Sequence, residues 1–117
     1  MPKLPEQINN AVQEFIKGVK DILGDRAKKI ILYGSYARGD YNESSDIDIM
    51  ILTDLTNDEI EEYRTKIYDY AYDIEEANNF DIWLSPLIKN IDRFNYWLEA
   101  LPFYMNVQKE GVVLSES

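Results

Sequence analysis

The chain has 117 residues, 45% of them hydrophobic, with a net charge of -10 and no cysteine or histidine. That length and apolar content fit one domain with a real core, spanning residues 1–117. The composition excludes disulfides, thiol nucleophiles, Cys/His zinc sites and imidazole catalysis, and Lys28-Lys29 is the only basic doublet, so direct nucleic-acid binding is not expected.

The chain starts Met1-Pro2-Lys3-Leu4-Pro5, without the apolar core of a signal peptide, and holds no apolar run of membrane-spanning length. With the absence of cysteine, this gives a cytoplasmic protein with no membrane partner as the expectation. Ile8, Val12, Phe15, Ile16, Val19 and Leu23 recur at helical spacing, predicting a helix from about Pro5 to Leu23 that stops at Gly24. Lys29–Tyr33 is a short apolar run ending at Gly34, and Asp46–Leu52 alternates Asp and Ile before turning apolar; both predict strands. About thirteen residues join them, a length that allows either parallel or antiparallel pairing. A second helix starts at Asn57, with Ile60, Tyr63, Ile67, Tyr70, Ala71 and Ile74 facing inward. Asn78-Asn79 predicts a turn and Phe80–Leu84 a third strand, which Pro86 breaks. Ile91–Leu101 predicts a helix interrupted at Pro102, and Gly111 precedes a short apolar tail, Val112-Val113-Leu114. The fold class is α/β (α+β), a small mixed β-sheet flanked by helices.

Without histidine or cysteine, acid–base or metal chemistry must rest on carboxylates, Lys, Tyr or hydroxyls. Asp46 and Asp48 lie two apart in a strand, so their side chains share a face, with Cα atoms roughly 6.5 Å apart. Two carboxylates on one face repel unless a cation sits between them, and Mg²⁺ is typically held by one or two carboxylates and substrate phosphates. Asp81 starts another apolar strand and can reach the same spot if the two strands pair. Three such carboxylates could serve a two-metal site. Gly34 allows close backbone approach to a ligand, and Ser35 opens a segment whose helical N–H groups could bind phosphate. Taken singly, each signal reads as ordinary structure: solvated acids at a strand start, or a serine-capped turn. Rival motifs fail, because Asp40-Tyr41 replaces the Lys-Ser/Thr of a P-loop, and Met50-Ile51 stands where an EF-hand needs Asp/Asn and Gly.

Taken together, Leu32-Tyr33-Gly34-Ser35-Tyr36-Ala37-Arg38-Gly39-Asp40, followed by Ser44-Ser45-Asp46-Ile47-Asp48-Ile49, carries more information. Gly-Ser, ten residues, then Asp-x-Asp resembles the signature of the polymerase-β-like nucleotidyltransferases. More narrowly it resembles the minimal nucleotidyltransferases of prokaryotic HEPN–MNT toxin–antitoxin pairs, over roughly residues 28 to 85. The resemblance implies that Gly34 and Ser35 bind the triphosphate of ATP. It implies that Asp46 and Asp48, with Asp81 as third acid, hold Mg²⁺, expected as two ions. It further implies an antitoxin that transfers AMP from ATP to a tyrosine of a partner HEPN toxin. Arg38, four residues after Gly34, reads equally as a surface residue and stays outside this core set.

Two other functions remain open from the sequence. A silent antitoxin could neutralise its toxin by contact alone, or a transferase could act on a small molecule. The intact Gly-Ser and the three aspartates favour the protein-directed enzyme. A C-terminal aromatic stripe, including Tyr96, Trp97 and Phe103, is a candidate for docking the partner.

Overall fold

The computed structural model describes residues 3–117. Helix α1 (Glu6–Leu23) buries Ile8, Val12, Phe15, Ile16, Val19 and Leu23, the face its spacing predicts. It stops at Gly24, whose φ of 56° is open to glycine at little cost and whose N–H donates to the Lys20 carbonyl. A 3₁₀ turn, Gly24–Arg26, leads into β1 (Ala27–Tyr33). A four-residue helix, α2 (Ser35–Arg38), follows, then β2 (Ile47–Thr53), antiparallel to β1. Helix α3 (Asn57–Ala77) begins with a capping box: the Glu59 N–H donates to the Thr56 hydroxyl and the Thr56 N–H to the Glu59 carboxylate. It carries the chain to β3 (Leu84–Asn90), parallel to β2. The Asn90 side chain accepts from the Arg93 N–H and caps α4 (Ile91–Trp97); α5 (Pro102–Glu110) and β4 (Val112–Glu116) complete the chain. The sheet order is β3-β2-β1-β4, a mixed sheet of the class expected.

Three expectations are corrected. The third strand lies at Leu84–Asn90 and includes Pro86. The Ile47 N–H donates to the Trp83 carbonyl, so residues 83, 85 and 87 turn their backbone groups toward β2. Pro86, at the alternate position, points its nitrogen to the open edge, where no N–H is needed. The second correction is to the helix expected over Ile91–Leu101: α4 stops at Trp97, and Pro102 sits in the first turn of a new helix, where a missing N–H costs nothing. The third is the apolar tail, which pairs antiparallel with β1 as a fourth strand.

The strands' period of two sorts the core into two layers. Ile30, Leu32, Ile47, Ile49 and Ile51 face α1 and α3, packing with Phe15, Ile67 and Ile74. Ile31, Met50 and Leu52 face α4 and α5, meeting Phe94 and Val107. Each such side chain taken fully out of water contributes about 1.5–3 kcal/mol. Where α1 crosses α3, a Cβ on Gly18 would overlap the Tyr70 ring, and the Tyr70 hydroxyl donates to the Glu14 carbonyl at 3.1 Å. The same alternation puts Asp48 on the α4/α5 side of β2, at the strand's N-terminal end. No helix among the described residues is long and apolar enough to cross a membrane.

Candidate active site

Gly34 joins β1 to α2 with φ 76° and ψ −157°, a conformation that side chains disfavour. A Cβ at this position would overlap Asp48 Oδ2 and lie 3.2 Å from Asp48 Cγ. The absence of a side chain lets the Asp48 carboxylate rest against the backbone turn. The chain then enters α2 at Ser35, with the Ala37 and Arg38 N–H groups bonded to the Gly34 carbonyl. The earliest N–H groups of such a turn have no partner within the helix and can meet an anion.

Asp48 pairs with Tyr33 across the β1–β2 ladder and is half-buried; Asp46 is exposed. Burial pushes the Asp48 carboxyl above its ordinary value, and the negative charge of Asp46 adds to the rise; Arg38 opposes it. The Tyr33 phenol is pushed up to about 12 by burial, then by Asp48 and Tyr68. Asp46, one residue ahead of β2, is close enough for its charge to act on Asp48, and two such carboxylates are a donor set suited to a hard cation.

A cavity of about 340 Å³ unites Gly34, Ser35 and Asp48 with residues of α5. Phe103, Asn106 and Glu110 form its second wall, at the i, i+3, i+7 positions of one helical face. Phe103 meets the Tyr33 ring edge-on, with centroids 5.6 Å apart. Arg38 bridges the walls: its Nε lies 3.1 Å from Asp40 and its Nη1 3.4 Å from Glu110. Asn106 and Glu110 did not stand out in the sequence, and Tyr33 and Phe103 did so only as a strand end and as part of an aromatic stripe, not as walls of this cavity. The apolar stripe at Phe103 and the polar residues one and two turns later were the available signal.

Asp81 stands apart. It is exposed, in the bend that precedes β3, whereas the ladder partner of Asp48 is Ser85. Among the described residues no three acidic side chains gather closely enough to hold one metal ion. The strands pair as the three-carboxylate arrangement requires, but Asp81 lies ahead of the ladder. A larger cavity, about 480 Å³, lies at the far end of the sheet beside Lys89, Asn90 and Arg93; Asn90 pairs with Thr53 at the other end of β2 from the aspartates. The smaller cavity holds Gly34, Ser35 and Asp48 together.

The nucleotidyltransferase domain family matches residues 12–113. "Putative protein adenylyltransferase MJ0604" of Methanocaldococcus jannaschii is 36% identical over 104 residues, 89% of this chain and 94% of the relative. "Putative protein adenylyltransferase MJ0141" of the same organism is 37% identical over 82 residues, 70% of this chain and 79% of the relative. Among solved structures, a toxin-antitoxin with AMP-PNP aligns at TM-score 0.57 and 21% identity, over 97% of this chain and 75% of that one. A mutant of the toxin-antitoxin MntA-HpeT aligns at TM-score 0.56 and 20% identity, over 90% of this chain and 73% of that one. These structural likenesses establish a shared fold. The Gly-Ser turn against Asp48, the mixed sheet and the match over most of the sequence agree: the chain belongs to the nucleotidyltransferase domain family and is a nucleotidyltransferase.

Proposed function

We propose that this protein transfers AMP from ATP to a tyrosine hydroxyl of a HEPN-domain toxin, and so acts as its antitoxin in the cytoplasm. The observation that carries the reading is the single cavity in which Ser35 and the α2 N-terminus meet Asp48 across Gly34. The names of the relatives, which are protein adenylyltransferases, support the class of acceptor. The toxin-antitoxin fold neighbours, one carrying AMP-PNP, support the partner and the nucleotide.

In this reading Gly34, the Ser35 hydroxyl and the first N–H groups of α2 hold the triphosphate. Arg38 exchanges its bond to Glu110 for a phosphate oxygen. Asp46 and Asp48 would hold Mg²⁺ together with the phosphates, and the repulsion between the two carboxylates fits a cation there. Bound Mg²⁺ would neutralise charge on the phosphates and lower the pKa of the acceptor hydroxyl. The hydroxyl oxygen attacks the α-phosphorus, the bond to the bridging oxygen breaks, and pyrophosphate leaves; the hydroxyl proton passes to a carboxylate or to solvent. Asp46 and Asp48 would hold the first ion. A second ion, with Asp81 as ligand, requires the bend before β3 to bring Asp81 inward. Residues 1–117 act here as one nucleotidyltransferase domain.

Peptide mapping by mass spectrometry tests the acceptor. The protein encoded beside this chain's gene is expected to be a HEPN protein and, incubated with this chain, ATP and Mg²⁺, to gain AMP on a tyrosine. A stable complex with no added AMP would favour neutralisation by contact, and AMP found only on a small molecule would overturn the protein acceptor.

A further inference from the structure

Three exposed aromatic side chains lie together on the β3 side of the acidic pair. Tyr72, Phe80 and Trp83 are 53%, 40% and 47% exposed. Phe80 links the other two, with ring centroids 5.7 Å from Tyr72 and 6.1 Å from Trp83. The backbone that holds Phe80 there is strained. Helix α3 ends at Asn78 with the Asn79 N–H on the Glu76 carbonyl and the Phe80 N–H on the Glu75 carbonyl, a paired C-terminal closure. That closure needs one left-handed residue, and Asn79, with φ 56°, supplies it. Phe80 also has a φ of 57°, which a bulky residue adopts only at a cost. A strained position that keeps an aromatic ring in water points to a use outside the folding of the chain.

The strip lies next to the acidic pair along the chain pairing. The Trp83 carbonyl accepts from the Ile47 N–H, next to Asp46. A cavity of about 380 Å³ beside the strip is lined by Tyr68, Tyr72 and Ser85, and Ser85 is the ladder partner of Asp48. The surroundings carry one sign of charge. Between residues 67 and 88 the chain has Asp69, Asp73, Glu75, Glu76 and Asp81, and no Lys or Arg. All but Glu75 are exposed.

We propose that the Tyr72–Phe80–Trp83 strip docks the acceptor protein, through a cationic segment with apolar side chains that delivers its hydroxyl along the Tyr68–Ser85 groove to Asp48. Aromatic rings take the apolar side chains and the acidic rim selects the basic ones. The proposal rests on the protein-acceptor reading above, and deepens it by naming the recognition surface and its chemistry.

The test is equilibrium binding of a fluorescent peptide made of Lys, Leu and one Tyr, with the same peptide carrying Glu for Lys as comparison. The full chain is expected to prefer the Lys peptide by at least about tenfold, with affinity falling as salt rises. Phe80→Gly and Trp83→Ser are each expected to weaken it about tenfold. Val113→Ser, exposed on β4 at the opposite edge, is expected to leave it unchanged. Phe80→Gly relieves the strained φ while it removes ring contacts, so its melting temperature should stay near that of wild type, which separates lost docking from lost folding. No preference for the Lys peptide, or affinities within twofold of wild type in both strip variants, would overturn the proposal. Strip-dependent binding together with no AMP transfer to the HEPN protein would overturn the acceptor reading alone.

Discussion

Gly34 and Asp48 are placed by the same local constraint. The turn after β1 brings its backbone against the carboxylate, and only glycine fits both the φ of 76° and the space. Gly34→Ala is expected to cost about 1–3 kcal/mol in stability and to displace Asp48, with nucleotide transfer lost; chemical denaturation and a transfer assay measure the two effects. Asp48→Asn should act in the opposite direction on stability when no metal is present. It removes a half-buried charge repelled by Asp46, and is expected to stabilise the fold by a few tenths to about 1 kcal/mol, kept small by solvent screening. The pH dependence has a definite sign. The folded pKa of Asp48 lies above its ordinary 3.8, so the folded state binds the proton more tightly and stability falls as pH rises from 3.8 through the folded value. The advantage of Asp48→Asn should therefore be full at neutral pH and vanish below pH 3.8. Denaturation midpoints of the two proteins across this range would show it. Gly34, Ser35, Asp46 and Asp48 were legible in the sequence because a turn and one strand, each local, fix their placement. Tyr33, Phe103, Asn106 and Glu110 were not, because the wall they build exists only once α5 folds back over β1.

Among the elements, α3 shows how local signals set a boundary. Thr56 and Glu59 satisfy each other's backbone donors, and Glu59 also receives Arg26 at 3.1 Å from both Nη1 and Nη2. Arg26 first, and the Thr56 backbone second, hold the Glu59 carboxyl down to about 2. Its contribution is present above the ordinary 4.5 and is lost as pH falls toward 2. Thr56→Ala is expected to cost about 1 kcal/mol, read as a lower denaturation midpoint. Strand β3 shows where such signals mislead. A proline reads as a strand break, yet at an edge its missing N–H faces outward, and which strand is an edge is a property of the assembled sheet. The start of β3 was misplaced for a related reason: Phe80 and Ile82-Trp83-Leu84 have strand-like side chains, but the closure of α3 holds Phe80 in a left-handed conformation. Phe80→Gly should therefore change stability by no more than about 1 kcal/mol, because relief of the strain offsets the lost ring contacts. That is far from the 3–5 kcal/mol loss usual for deleting a buried aromatic. The tail at Val112 became β4 because β1 has a free edge to pair with, a fact that the tail's own five residues do not contain.

At the scale of the molecule, the two helical layers cover the sheet unequally. Helices α1 and α3 seal one face, while α4 and α5 leave the N-terminal end of β2 open beside Asp46 and Asp48. The chain's net charge of -10 suits a cation and a basic partner far better than a nucleic-acid backbone. The central claim is that this opening performs nucleotidyl transfer through the paired aspartates. It is tested most directly by following label from ATP marked at the α-phosphate onto the partner protein, with wild type and with Asp46→Asn/Asp48→Asn. The account predicts Mg²⁺-dependent labelling by wild type and at least about a hundredfold slower labelling by the double variant. Equal labelling by the two proteins would contradict it.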